Sequence, residues 1–178
     1  MKVPEVKGYG DLEVEPFEEY YARWPANLSN FPTCVIQNWV HRHWQDFHDL
    51  WLDRGIEHFI FQQNVFTSPQ IMQIGHVGNW LDTMDYWGDE LFRNRQRQDT
   101  WLAKYMLTHG TSPAPIIVAK DTHDQEHPRG GAMHPLQLIE GHMRLSYLRG
   151  MIRHNHPALQ GRHSVWLLNF PKTGEVDG

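Results

Sequence analysis

Gly141 stands alone between a strand pattern and a helix pattern, and that junction limits the folds open to the chain. "PLQLIE", residues 135–140, reads as a strand, and "HMRLSYLRGMIRH", residues 142–154, repeats Leu145, Leu148 and Ile152 on one side of a helix. A strand that enters a helix through one glycine leaves the first helical N–H groups without intrahelical acceptors. They converge on one spot, and the helix dipole makes that spot attractive to an anion. Glycine also lets the backbone come close to a ligand. Two more runs give the strand neighbours. "PIIVAK", residues 115–120, is β-branched and continuous, as a buried strand is, and "HSVWLLNF", residues 163–170, is a last strand followed by a polar tail. From Asp99 onward the predicted order is helix, strand, strand, helix, strand. That is an α/β (α+β) fold, a small mixed sheet with flanking helices.

The first half reads differently. Six of the eight tryptophans lie there, and Trp24, Trp39, Trp44, Trp51 and Trp80 would form a packing layer or a surface for a partner. Residues 1–31 predict an extended arm with a helical turn or two near Phe17 to Trp24. "PTCVIQNWVHRHWQDFHDLWLDRG", residues 32–55, predicts one helix: Ile36, Trp39, Val40, His43, Trp44, Phe47, Leu50 and Trp51 share a face, Pro32 opens it and Gly55 stops it. "IEHFIFQQ", residues 56–63, predicts a short strand, and "SPQIMQIGHVGNW", residues 68–80, a strand or irregular turn broken by Gly75 and Gly78. "LDTMDYWGDELFRN" is helical in part, weakened by Gly88, with Asp82 as cap; "DTWLAKYMLTHG" is a helix capped by Asp99 and ended by Gly110. The domain expectation is an aromatic-rich helical elaboration over residues 1–98 and a core over 99–178.

Composition narrows the function classes. No run approaches about 18 apolar residues, so no membrane span is expected. The start of the chain has no apolar core of signal-peptide length, and the single cysteine, Cys34, fits a reducing compartment, so the expected location is cytoplasmic. A net charge of −5 argues against a broad grip on nucleic acid. "RNRQRQ", residues 93–98, would form a basic patch with Arg144, Arg149 and Arg153, although a solvated helix end is the plainer reading. Of the thirteen histidines, His154, His156 and His163 lack a spacing that fixes a zinc site, and "HNHP" terminates a helix rather than building a nuclease motif.

At the Gly141 junction, Arg144 lies one turn into the helix and would grip a phosphate. His142 would donate to it or shuttle a proton. Glu140, at the strand end, would orient a hydroxyl, bind a metal or act as general base. A plainer alternative is a tight turn in which Glu140 and Arg144 simply pair. The polar loop "DTHDQEHPRGGAMH", residues 121–134, leaves the "PIIVAK" strand carrying Asp121, His123, Asp124, Glu126, His127 and His134; it would close over a nucleotide, with Asp121 and His123 as contacts, or hold a divalent ion, although a solvated loop is the plainer reading.

The segment "DTWLAKYMLTHGTSPAPIIVAK", with "HPLQLIEGHMRLSYLRGM" and "HSVWLLN", resembles the ParB/sulfiredoxin superfamily. There a helix and glycine precede a "PI-V" strand, a second strand ends in Asp/Glu-Gly-His-His-Arg or Gly-Glu-Arg-Arg, and a helix and a further strand close the unit. The resemblance covers roughly residues 99–170. It implies a small nucleotide-binding fold for ATP, ADP or CTP with Mg²⁺. Gly141 and Arg144 fall on the phosphate-binding pair, Glu140 on the acidic position and His142 on the first histidine. Met143 replaces the second histidine of the branch that includes a free-serine kinase. His142 stands where sulfiredoxin has its reactive cysteine, so sulfinic acid reduction is not expected. No helix-turn-helix follows, which argues against a CTP-dependent DNA clamp.

The expected function is therefore nucleotide-phosphate binding with hydrolysis or transfer of phosphate. Glu140, His142 and Arg144 would be catalytic, and Gly141, His142, Met143, Arg144, Asp121 and His123 would line the nucleotide; no metal ligand set is predicted. The alternatives are a non-catalytic protein-binding module, of inhibitor or immunity type, working through the aromatic half, and a metal-dependent nuclease.

Overall fold

The structure is a computed structural model that describes residues 3–11, 13–122 and 124–170; His123 and the polar tail lie outside the described residues. It is an α+β fold with one four-stranded mixed sheet and, among the described residues, eight α-helices. The chain divides into two compact units, residues 1–61 with 169–178, and residues 62–168. The boundary expected at residue 98 falls inside the second unit.

The first unit is built on aromatic packing. Helix α1 (Phe17–Tyr21) sits where a helical turn was expected. The single helix expected over residues 32–55 is instead three pieces. Helix α2 (Thr33–Val35) runs into a π turn over Ile36–His41, the chain breaks at His43 (φ −124°, ψ 44°), and α3 (Trp44–Leu50) follows. The π turn inserts a residue into the helical repeat. The apolar face survives the break, with Ile36, Trp39, Val40, Trp44, Phe47 and Trp51 all buried. Trp39 meets Phe47 edge-on at 5.0 Å and Trp51 at 5.8 Å, and Phe31 meets Phe47 edge-on at 6.1 Å. Full burial of side chains of this size contributes about 1.5–3 kcal/mol each, which makes this layer the unit's main stabilising term.

Strand β1 (Ile60–Thr67) follows a 3₁₀ turn at Ile56–His58, so the strand begins and ends four residues later than expected. Thr67 and Gln70 then form a reciprocal cap on α4 (Ser68–Met72), with a proline in its first turn. This helix stands where a strand or irregular turn was expected; Gly75 alone pairs with the sheet, donating to Leu136 O at 2.8 Å and accepting from Leu138 N at 2.9 Å. Helix α5 (Trp80–Arg93) starts at Asn79, with Asp82 in its first turn rather than at the cap. After α6 (Arg95–Gln98), helix α7 (Trp101–His109) is capped by the Thr100 hydroxyl, one residue beyond the Asp99 expected, and ends at Gly110 in the left-handed region.

Strand β2 (Ile116–Lys120) pairs antiparallel with β3 (Leu136–Glu140) and parallel with β4 (Arg162–Asn169). The order across the sheet is β1-β4-β2-β3. Helix α8 (His142–Arg153) connects β3 to β4. Leu145, Tyr147, Leu148 and Met151 of α8 join Ile116, Val118, Leu138, Val165 and Leu167 of the strands in one buried cluster.

Helices α5 and α8 run parallel, since their contacts advance in step. Trp80 meets His142, Asp85 binds Arg149, Asp89 binds Arg153, and Phe92 meets His154. They touch backbone to backbone. A methyl group on Gly150 would lie 2.3 Å from Gly88 O, and one on Gly88 would lie 2.2 Å from Ser146 O. Gly88 is thus the contact surface of its helix. Arg149 grips both oxygens of Asp85, at 2.6 and 2.8 Å, and reaches Met72 O at 3.0 Å. Burial raises the Asp85 pKa, but Arg149 and Arg153 outweigh it and hold the carboxyl below its usual range.

Candidate functional site

The register of β3 slips against β2: Ile117 faces Glu140, yet Val118 faces Leu138. The extra residue bends the strand end where it meets α8. Gly141 then takes φ 105° and ψ 36°, and a methyl group there would come within 2.7 Å of Ile116 Cγ2. Only glycine meets both conditions.

Arg144 is used inside the fold. Its Nη1 donates to Ala114 O at 3.0 Å and Pro115 O at 2.7 Å, and its Nη2 donates to the Glu140 carboxylate. Both side chains are buried. The guanidinium ties the entry to β2 to the exit from β3, and the pairing weighed as the plainer alternative is present. Glu140 is its counter-ion here rather than a base facing solvent. The three α8 arginines therefore do not join a surface patch with residues 93–98, because Arg144, Arg149 and Arg153 each bind a carboxylate.

The rest of the site gathers at the start of α8. His142 is half-buried and its Nε2 lies 2.9 Å from His76 Nε2. His76 is 3 % exposed, and its Nδ1 has no hydrogen-bond partner among the described residues. The His127 ring is 5.4 Å from His76, and the Trp80 ring is 5.9 Å from both His76 and His142. Burial first, with the charges of Arg129 and His134, pushes the His76 pKa down to about 4 against a smaller opposing effect of the Val77 backbone.

The loop between β2 and β3 contributes differently from what was expected. Lys120 pairs with Leu136 and Ile117 with Glu140, so Asp121 stands at the end of the β2–β3 pair opposite Glu140. It is exposed and donates its N–H to Pro135 O. Instead, the loop folds back on itself. Glu126 bridges Ala132, His127 N donates to Gly131 O at 2.9 Å, and Gly130 N donates to His127 O at 2.7 Å. This turn brings His127 to His76, and His127 Nδ1 accepts from Arg129 N at 3.1 Å. His127 belongs to the polar loop expected to close over a ligand, whereas His76 is not among the expected site residues. No local pattern marks His76, because it lies 66 positions from His142.

Both helix starts at this end lack a side-chain cap: α5 opens at Asn79 and α8 at Gly141, neither with a side-chain hydrogen bond to the first amides. Because the helices are parallel, both positive dipole ends meet at His76, His142 and Trp80. Asp82 is exposed in the first turn of α5, and α8 has no acidic residue in its first turn. Among the described residues no group of three or more His, Cys, Asp or Glu is arranged to hold a metal.

No protein-family model matches the chain, and no curated protein or solved structure matches it. Among the described residues no helix is long and apolar enough to cross a membrane.

Proposed function

We propose that the shared end of α5 and α8 binds the phosphate of a nucleotide, on a ParB/sulfiredoxin-like scaffold. One observation carries this reading. Two parallel helices turn N-termini without side-chain caps toward one spot, lined by His76, His127 and His142. Helix-start amides without side-chain caps and a converging dipole favour phosphate. Trp80, 37 % exposed beside His142, offers a face on which a base would stack.

In this reading Gly141, His142 and Met143 contribute backbone N–H groups, and Arg144 holds the turn in place from behind. The His76–His142 pair is the proton-handling group, and Glu140 is the partner of Arg144. The residues do not fit a protein-held Mg²⁺, because a hard cation wants oxygen ligands and the carboxylate at hand is already paired.

The test is thermal unfolding with ATP, ADP, CTP or pyrophosphate. A ligand at about 100 times its Kd adds about 2.7 kcal/mol, which raises the Tm of a chain this size by roughly 5–10 °C. His142→Ala and Arg129→Glu are expected to remove the shift while leaving the unliganded protein folded. No shift with any of the four ligands would refute the reading. Binding is expected to tighten as pH falls from 8 toward 5.5, since a bound anion draws a proton onto the His76–His142 pair, now surrounded by Arg129, His134 and two helix starts.

A further inference from the structure

The arginines fall into two groups with different fates. Those of α8 all hold carboxylates. Arg93, Arg95 and Arg97, by contrast, have no ion-pair partner among the described residues. Arg93 and Arg95 are exposed, and the Nε of half-buried Arg97 is buried without a hydrogen-bond partner.

The Thr100 hydroxyl donates to Arg97 O at 2.9 Å, which fastens the start of α7 to α6. Along α7, Ala103 and Met106 are buried, while Trp101, Tyr105 and His109, four apart, form a row in which Trp101 and His109 are exposed and Tyr105 is half-buried against the core. Trp101 is 65 % exposed, more than any other large hydrophobic residue described. Its ring lies 5.6 Å from Tyr105, and Tyr105 stacks on His109 at 4.0 Å and 16°. Over residues 93–109 four cationic side chains face one carboxylate, Asp99, in a chain whose net charge is −5.

We propose that α6 and the outer face of α7 dock single-stranded nucleic acid, with bases on Trp101 and its aromatic row and phosphates on Arg93, Arg95 and Arg97. Unpaired arginines beside stackable rings are the two elements such a surface needs. An acidic peptide would satisfy the arginines but leave the rings unused. A duplex hides the base faces that Trp101 would take. The net negative charge elsewhere restricts the strand to this face and keeps the interaction weak.

The experiment is fluorescence anisotropy of a labelled oligo(dT) or oligo(U) with the full chain. Three phosphate contacts predict a slope of about −2 in log K against log salt between about 50 and 200 mM. Trp101→Ala is expected to weaken binding about tenfold, Arg93→Glu with Arg95→Glu to abolish it, and circular dichroism to be unchanged in both. No binding at the lower salt overturns the proposal. So does unchanged affinity in Trp101→Ala, or equal competition by poly-glutamate, either of which would reduce the face to an unspecific cationic patch.

Discussion

Burial keeps the His76 imidazole neutral, with a native pKa of about 4 against 6.5 in an open chain. The unfolded chain takes a proton near pH 6.5, and the native protein does not until pH 4. The contribution is complete above pH 6.5 and is lost as pH falls toward 4, amounting to roughly 3 kcal/mol. His163, buried beside Thr111, is pushed the same way by burial. Urea unfolding at pH 7.5 and 5 is expected to show this loss, and His76→Gln to flatten it. Arg144→Ala removes the guanidinium from a buried carboxylate and is expected to cost about 3–5 kcal/mol, whereas Arg144→Met with Glu140→Leu recovers most of that; chemical denaturation of the two variants beside the parent decides it. At this scale the sequence was half legible. The glycine and the i, i+4 spacing of Glu140 and Arg144 could be read, since both are local. That Arg144 spends its donors on Ala114 and Pro115 could not, because those carbonyls lie at the entry to a different strand, far away in the chain.

Between elements, the contact that sets α5 against α8 has no side chain at its centre. Gly150→Ala must push Gly88 away and is expected to cost about 1–3 kcal/mol, lowering Tm by roughly 3–10 °C. The sequence marked Gly88 as a flaw in a helix, because propensity is local and close approach is not. Apolar periodicity was a good guide to which face is buried, as the Ile36 to Trp51 face shows, and a poor guide to continuity. The π turn and the break at His43 leave six of the eight expected residues inside, with His43 and Leu50 half-buried, so the pattern is nearly blind to them. Helix starts were displaced for a similar reason. Asp99 and Thr100 both suit a cap, and backbone geometry chooses between them.

For the molecule as a whole, the succession of strands and helices after Asp99 was readable, but the spatial order was not. β4 lies between β1 and β2, a placement that pairing and helix crossover decide. The division after Phe61 also escaped, since it follows contact density rather than composition. The sheet's outermost member, β1, has no charged side chain in eight residues, and Phe66 is its one buried position. An outer strand displays a row of amides and carbonyls that fit any chain laid beside it. A neutral row does not repel its own twin, so pairing of copies through that margin is the expected outcome in concentrated protein, read as a scattering mass that rises with concentration. Val65→Lys, on an exposed side chain, plants a like charge where two copies would meet and should hold the scattering mass constant as concentration rises.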